Sequence, residues 1–141
     1  MSKKKAIGLF SVKAKEGGGD EASISTNHLI LIVKPDQLRV GGFNVEPNSP
    51  LWGAQVDIKG EIKPGTYAFT ELDAERSIVI GFYNPKEGGN SWNGQAQGGE
   101  ITLLEVNHER KSARGSFKFI AVDNGKPLKI AEVRGDFSLE E

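Results

Sequence analysis

Hydrophobic residues alternate with polar ones most clearly in the last third of the chain. The run Gly115-Ser-Phe-Lys-Phe-Ile-Ala-Val122 and residues 128–139 place apolar side chains at nearly every second position. That period is typical of a β-strand with one face buried. Between the two runs lies Asn124-Gly125, a pair that readily takes the positive φ angles of a tight hairpin turn. Together with Ile101-Thr-Leu-Leu-Glu-Val106, these segments predict three antiparallel strands.

The first two thirds of the chain hold shorter apolar runs separated by Gly, Pro and Asn. They predict strands at Ala6–Val12, Ala22–Val33, Leu38–Val40, Ala54–Lys59, Thr66–Phe69 and Ser77–Tyr83. The second of these alternates at first and then becomes solidly apolar, which indicates either a strand covered on both faces or a change of face near Asn27-His28. Ala54–Lys59 alternates cleanly, so we expect it to be half exposed. Asp73–Arg76 is long enough for one helical turn at most.

These elements predict an all-β fold, namely a mostly antiparallel β-sandwich or flattened barrel of about eight or nine strands. A chain of 141 residues fits a single domain. We expect the core to include Ile78, Ile80, Phe82, Phe117 and Phe119. Residues 36–53 should be irregular apart from the short run at 38–40, and residues 84–99, rich in Gly and Asn, should form one long loop. Loops of that length are often functional.

Composition and charge exclude several classes of protein. The chain has no cysteine and a formal net charge of -1, so thiolate metal sites are excluded and a dedicated nucleic-acid binder, which is usually basic, is not expected. No apolar run approaches the ~20 residues that span a bilayer. Ala6–Val12 is too short and too interrupted for a secretory signal, so the expected location is cytoplasmic, or secreted or on the surface if a leader has been removed.

Candidate catalytic and metal-binding residues are few. The two histidines are His28 and His108, and their spacing with carboxylates does not match a zinc site. No Gly-x-Ser-x-Gly elbow positions a nucleophile. We therefore expect no catalytic residues, no metal and no cofactor, with a hydrolase as the least favoured function. His108 is interpreted as an exposed turn residue.

The two tryptophans carry the ligand hypothesis. Trp92 lies within residues 84–99 beside Asn90, Asn93 and Gln95, and Trp52 follows a Pro-rich segment. An indole among amide side chains can stack on a sugar ring while the amides bond its hydroxyls. The alternative is that each indole folds back to plug an open end of the sandwich, because its large apolar surface is unfavourable in water.

Three phrases resemble a known family. Pro64-Gly-Thr-Tyr67, Gly98-Gly-Glu-Ile-Thr-Leu103 and the repeated Arg-Gly-x-Phe at Arg114 and Arg134 are similar to small bacterial β-sandwich domains of unknown function, often found on surface lipoproteins. The resemblance covers about residues 22–139. It implies a β-sandwich and a surface location, although this chain has no cysteine for lipid attachment, and it implies no catalytic residues.

The sequence thus favours a non-enzymatic binding or protein-interaction module. The first hypothesis is recognition of another protein, or of a second copy, through a sheet edge or residues 84–99. The second is binding of a carbohydrate or small ligand at Trp92. A long unpaired edge strand would favour the first hypothesis.

Overall fold

The computed structural model describes residues 6–70, 78–123 and 129–141. These residues contain eleven β-strands and no helix. The strands are β1 (Ile7–Glu16), β2 (Glu21–Ile24), β3 (His28–Lys34), β4 (Gln37–Asn44), β5 (Trp52–Lys59), β6 (Gly65–Ala68), β7 (Ile78–Asn84), β8 (Trp92–Gly94), β9 (Glu100–Asn107), β10 (Ser112–Asp123) and β11 (Lys129–Glu140). The predicted turn at Asn124-Gly125 and the predicted helical turn at 73–76 lie outside the described residues.

All the strand pairs are antiparallel and belong to one sheet curled into a half-barrel. Its order is β2-β1-β11-β10-β8-β7-β5-β4-β3, and β10 forks it. The first half of β10 also pairs with β9, which carries β6, and its end pairs with β8. The prediction of an all-β antiparallel fold is confirmed. The strands outnumber the expected eight or nine because residues 22–33 form two strands and because residues 84–99 contain β8.

The concave face of the half-barrel holds the core. Alternate residues of β1, β10 and β11 point into it, and the rings of Phe10 and Phe117 stack with centroids 5.4 Å apart. Phe117 and Phe119 are buried, as predicted. The clean alternation of the C-terminal strands therefore assigns their inner face correctly.

The curl of the sheet brings β1 against β4. A Cβ atom added at Gly42 would lie 2.4 Å from Cδ1 of Phe10, so glycine is required for this approach. Thr26 Oγ1 donates a hydrogen bond of 2.7 Å to the Phe10 carbonyl from the segment that joins β2 to β3. The prediction that 36–53 is irregular outside 38–40 is therefore wrong, because β4 runs through both glycines.

The predicted face of β7 is also wrong. Val79, Gly81 and Tyr83 are buried, whereas Ile80 is 45% exposed, and Ile78 and Phe82 are only partly buried. Every residue of Ile78–Tyr83 except Gly81 is apolar or aromatic, so the sequence alone contains no polar residue that marks the outer face.

Strand β5 is not half exposed as predicted. Residues 53–58 are all buried, because the core covers the inner face and side chains of β4 and β7 cover the outer face. On the outer face, Gln55 lies opposite Phe82 of β7, and Asp57 lies opposite Arg39 of β4. In the described part of the chain no helix is long and apolar enough to cross a membrane.

Candidate functional site

Trp92 lies in the core and not on a recognition surface. It is 5% exposed, and its ring meets the ring of Tyr83 edge-on, with centroids 5.6 Å apart and an interplanar angle of 79°. Strand β8 places it there by pairing Trp92 with Tyr83 of β7. Of the two alternatives for Trp92, the structure has the buried one, so its indole is not available to stack on a sugar.

The amide side chains near Trp92 do not surround its ring. Asn93 is the next residue of the same strand and is exposed on the opposite face, because successive side chains of a strand alternate. Asn90 and Gln95 are also exposed, before and after β8. The structure therefore does not assemble the predicted site of one indole ringed by amides.

Trp52 remains partly exposed at the start of β5. Its Nε1 donates to the Tyr83 hydroxyl at 3.2 Å, and that hydroxyl donates to Glu16 Oε2 at 2.7 Å. Burial raises the pKa of Tyr83 above its ordinary value, and the bond to the Glu16 carboxylate raises it further. The indole of Trp52 is thus held in place from inside the protein. Lys86 Nζ lies 5.3 Å from its ring centroid, a cation–π distance.

Strand β3 is an edge of the sheet. It pairs with β4 and with no other described strand. Its seven residues exceed the four of β2 and the four of β6, the other edge strands in this part of the chain. Its central residues are Leu29-Ile-Leu-Ile-Val33. A long aliphatic edge offers its unpaired backbone groups to another strand.

The free backbone groups of β3 can be assigned from its hairpin with β4. A two-residue turn, Pro35-Asp36, joins the strands, and Lys34 lies opposite Gln37. Such a turn is closed by a hydrogen-bonded pair, and the next residues alternate. Leu29, Leu31 and Val33 therefore direct their N–H and C=O groups away from β4. Consistent with this, Lys111 Nζ donates to the Val33 carbonyl at 3.1 Å.

The outer face beside this edge combines apolar and polar side chains in two rows. One row runs Ile32, Arg39, Asp57, Ile80 across four strands, and the next runs Ile30, Gly41, Gln55, Phe82. We call these two rows the outer face. Both rows begin and end on an apolar residue. Aromatic residues and arginine are enriched in protein interfaces, and this face carries Phe82 and Arg39.

The polar centre of the outer face is the Asp57 carboxylate, which accepts three side-chain hydrogen bonds. Arg39 donates from Nε and Nη2 to the two oxygens of Asp57, both at 3.1 Å, and Gln55 Nε2 donates to Oδ1 at 3.0 Å. The side chain of Asp57 is only 12% exposed. Bidentate pairing fixes the guanidinium plane, while Arg39 keeps further N–H donors for a partner.

The two histidines lie on different elements of the sheet. His28 is exposed at the start of β3. His108 lies in the turn between β9 and β10, as interpreted, but it is partly buried and not exposed, with Nε2 3.0 Å from the Ile62 carbonyl. A carbonyl accepts only, so Nε2 carries the proton. Among the described residues no group of three or more His, Asp or Glu side chains could hold a metal ion.

The edge and the outer face were only partly visible in the sequence. The run Leu29-Ile-Leu-Ile-Val33 signalled an apolar strand. The predicted strand Ala22–Val33 is interrupted close to Asn27-His28, where a change of face at a bulge was one of the two alternatives, since β2 ends at Ile24 and β3 begins at His28. The sequence did not indicate that this strand lies at an edge. Arg39 and Asp57 are 18 residues apart, and their pairing follows only from the register of β4 and β5.

Comparison with known proteins adds no assignment. No protein family, no curated protein and no solved structure matches this chain.

Proposed function

We propose that this chain is a non-enzymatic interaction module that binds another polypeptide by adding its strand to β3. The observation that carries the proposal is the side of β3 that no described strand pairs with. There a strand with five consecutive aliphatic residues directs the N–H and C=O groups of Leu29 and Leu31 away from β4. Strand addition would satisfy these groups and would bury the side chains of Ile30 and Ile32.

The sequence of β3 favours a second copy of this chain as the partner. In antiparallel pairing centred on Leu31, that residue faces itself. Ile30 then faces Ile32, Leu29 faces Val33, and His28 faces Lys34. From Leu29 to Val33 apolar residues meet apolar residues, and the two copies of Lys34 are kept apart. A two-fold interface requires such self-complementarity, and a one-residue shift would exchange the inner and outer faces.

The outer face would extend this interface beyond the backbone ladder. In the pairing above, the isoleucines at 30 and 32 of both copies form one aliphatic cluster. Arg39 lies beside Ile32 in the same row, with its guanidinium oriented by Asp57. Oriented arginines bordered by apolar contacts are frequent hot spots in interfaces.

Lys111 would weaken the pairing of another strand with β3. Its ammonium donates a hydrogen bond to the Val33 carbonyl, and lysines at sheet edges disfavour uncontrolled pairing. In the proposed dimer the Leu29 N–H of the second copy takes this carbonyl, so Lys111 must release it. We therefore expect reversible association, and we expect Lys111→Met to strengthen it.

Sedimentation velocity over a wide range of concentrations tests the proposal. The protein should form a dimer that dissociates on dilution. Ile30→Lys should abolish it, because two ammonium groups would enter the aliphatic cluster. The matched control is Leu9→Lys on β1, which also replaces an exposed aliphatic residue, 75% exposed, but lies opposite Ser138 of β11 and outside both β3 and the outer face. A protein that stays monomeric at high concentration, or an Ile30→Lys dimer, would refute pairing of two copies at β3.

A further inference from the structure

A cavity of about 370 Å³ lies between β2, the loop from β4 to β5 and the loop from β7 to β8. We call it the Trp52 cavity. Ser23, Ser25, Glu46, Ser49, Trp52 and Lys86 contribute to its lining. Its volume lies within the usual range for small-molecule sites, about 300–1,000 Å³. It is separate from β3 and from the outer face, so it is independent of the function proposed above.

The aromatic wall of this cavity is preorganised. Trp52 is partly exposed, whereas Trp92 in the same region is buried. The Nε1 bond to Tyr83 fixes the indole from the interior side. A ligand that displaces the Lys86 ammonium from the ring would therefore meet a rigid apolar surface and would not have to order it, which lowers the entropic cost of binding.

The polar groups of the cavity have capacity left for a ligand. In the described part of the chain, no hydrogen bond uses the hydroxyls of Ser23, Ser25 and Ser49 or the carboxylate of Glu46. Lys86 contacts the Trp52 ring but forms no ion pair with a described carboxylate. The cavity thus combines hydroxyls, one carboxylate and one ammonium around an indole.

We propose that the Trp52 cavity binds a pyranose sugar. The C–H face of a pyranose is apolar and packs on an indole, while its ring hydroxyls are both donors and acceptors. Glu46 can accept from two neighbouring hydroxyls, and serine hydroxyls can donate or accept. The carboxylate and the ammonium balance each other, so the cavity suits a neutral sugar. A uronic acid would also fit if its carboxylate draws Lys86 away from the ring.

Isothermal titration with two probes tests this site. The probes are the β-1,4-linked hexasaccharide of glucose and the hexasaccharide of galacturonic acid. At least one should bind, and Glu46→Gln should weaken that binding by about tenfold, as expected for loss of a charged hydrogen-bond acceptor worth ~1.4 kcal/mol. Lys86→Gln should weaken the uronate probe most. Both variants change exposed side chains, so the fold should remain intact.

Two controls complete the test. Ser116→Ala removes a hydroxyl from the convex face of β10, outside the Trp52 cavity, and should leave the affinity unchanged. Ile30→Lys should also leave it unchanged, which separates this site from strand pairing at β3. The proposal is overturned if neither hexasaccharide binds, or if binding persists at full strength in both Glu46→Gln and Lys86→Gln.

Discussion

Replacing Trp92 by alanine tests the assignment of this residue to the core. The side chain is 5% exposed and packs edge-on against Tyr83. Truncation of a buried aromatic residue to alanine removes its apolar burial and leaves a cavity, and it typically destabilises by about 3–5 kcal/mol. Because little of the indole is exposed, we expect the full effect and not a fraction of it.

That loss is large compared with the stability of a domain of this size. Single domains have unfolding free energies of about 5–15 kcal/mol, so the variant should melt more than ~10 °C below the parent protein. Urea unfolding should be followed by far-ultraviolet circular dichroism, since the substitution removes a fluorophore. The midpoint should fall while the slope m stays constant, as expected when the change affects stability alone.

A neighbouring substitution provides the control. Asn93→Ala alters the next residue of β8, whose side chain is exposed, and should change stability by no more than about 0.5 kcal/mol. A Trp92→Ala protein within about 1 kcal/mol of the parent would contradict the buried position. It would also restore Trp92 as a candidate for ligand stacking.

Three further predictions concern the close approach of β1 to β4, the polar centre of the outer face and the buried Tyr83 hydroxyl. Gly42→Ala places a Cβ atom 2.4 Å from the Phe10 ring and should destabilise by about 1–3 kcal/mol; Gly18→Ala, with open space around the new atom, is the control in thermal melts. Arg39→Met leaves a largely buried carboxylate without its cation and should cost about 1–3 kcal/mol in urea unfolding. Because the pKa of Tyr83 is raised, its neutral form is favoured in the folded state. Stability should fall above the unfolded-state pKa of about 10, by up to ~1.4 kcal/mol per pH unit, and Tyr83→Phe should flatten this alkaline loss.

The buried face could be predicted for strands in which polar and apolar residues alternate. In β10 and β11, polar and charged residues occupy most of the alternate positions, with Ile120 and Ile130 as exceptions, so the buried face is visible without the structure. In β7 both faces carry apolar residues. Its inner face is set by the Phe69 ring, which packs against Gly81. A Cβ atom added at Gly81 would lie 2.8 Å from Cε2 of that ring. That ring comes from another part of the chain, and local periodicity cannot reveal it.

The loop at residues 84–99 shows the same limit. Its length and its Gly and Asn residues indicated a functional loop, yet Gly94 and Gly99 make room for the Phe69 ring, since a Cβ atom at either would lie within 3 Å of it. Strand β8 has three residues and is held by pairing with β7 and β10. Such a short strand is specified by its neighbours and not by its own sequence. The competing interpretations of Trp92 therefore needed the tertiary structure to be separated.

The edge of the sheet was misread for a related reason. For Leu29-Ile-Leu-Ile-Val33 the sequence left two alternatives, a strand covered on both faces or a change of face near Asn27-His28. The first is wrong, because residues 29–32 are only partly buried. An apolar run shows that a strand packs against other apolar side chains. In β3 part of that apolar surface stays exposed, beside the backbone groups that no described strand pairs with. The position of β3 at an edge follows from sheet order, which local pattern does not encode.

Cysteine cross-linking tests pairing at β3 most directly, because the chain has no cysteine of its own. In an antiparallel pair centred on Leu31, residue 30 of one copy faces residue 32 of the other as a non-hydrogen-bonded pair, with Cα atoms about 4.5 Å apart. This distance lies within the ~4.4–6.8 Å range of disulfides, whereas two copies of residue 30 would be about 7–8 Å apart. A mixture of Ile30→Cys and Ile32→Cys proteins should therefore form a mixed disulfide dimer under mild oxidation, and either variant alone should cross-link far less. Absence of the mixed dimer, or equal cross-linking in all three samples, would contradict strand pairing at β3.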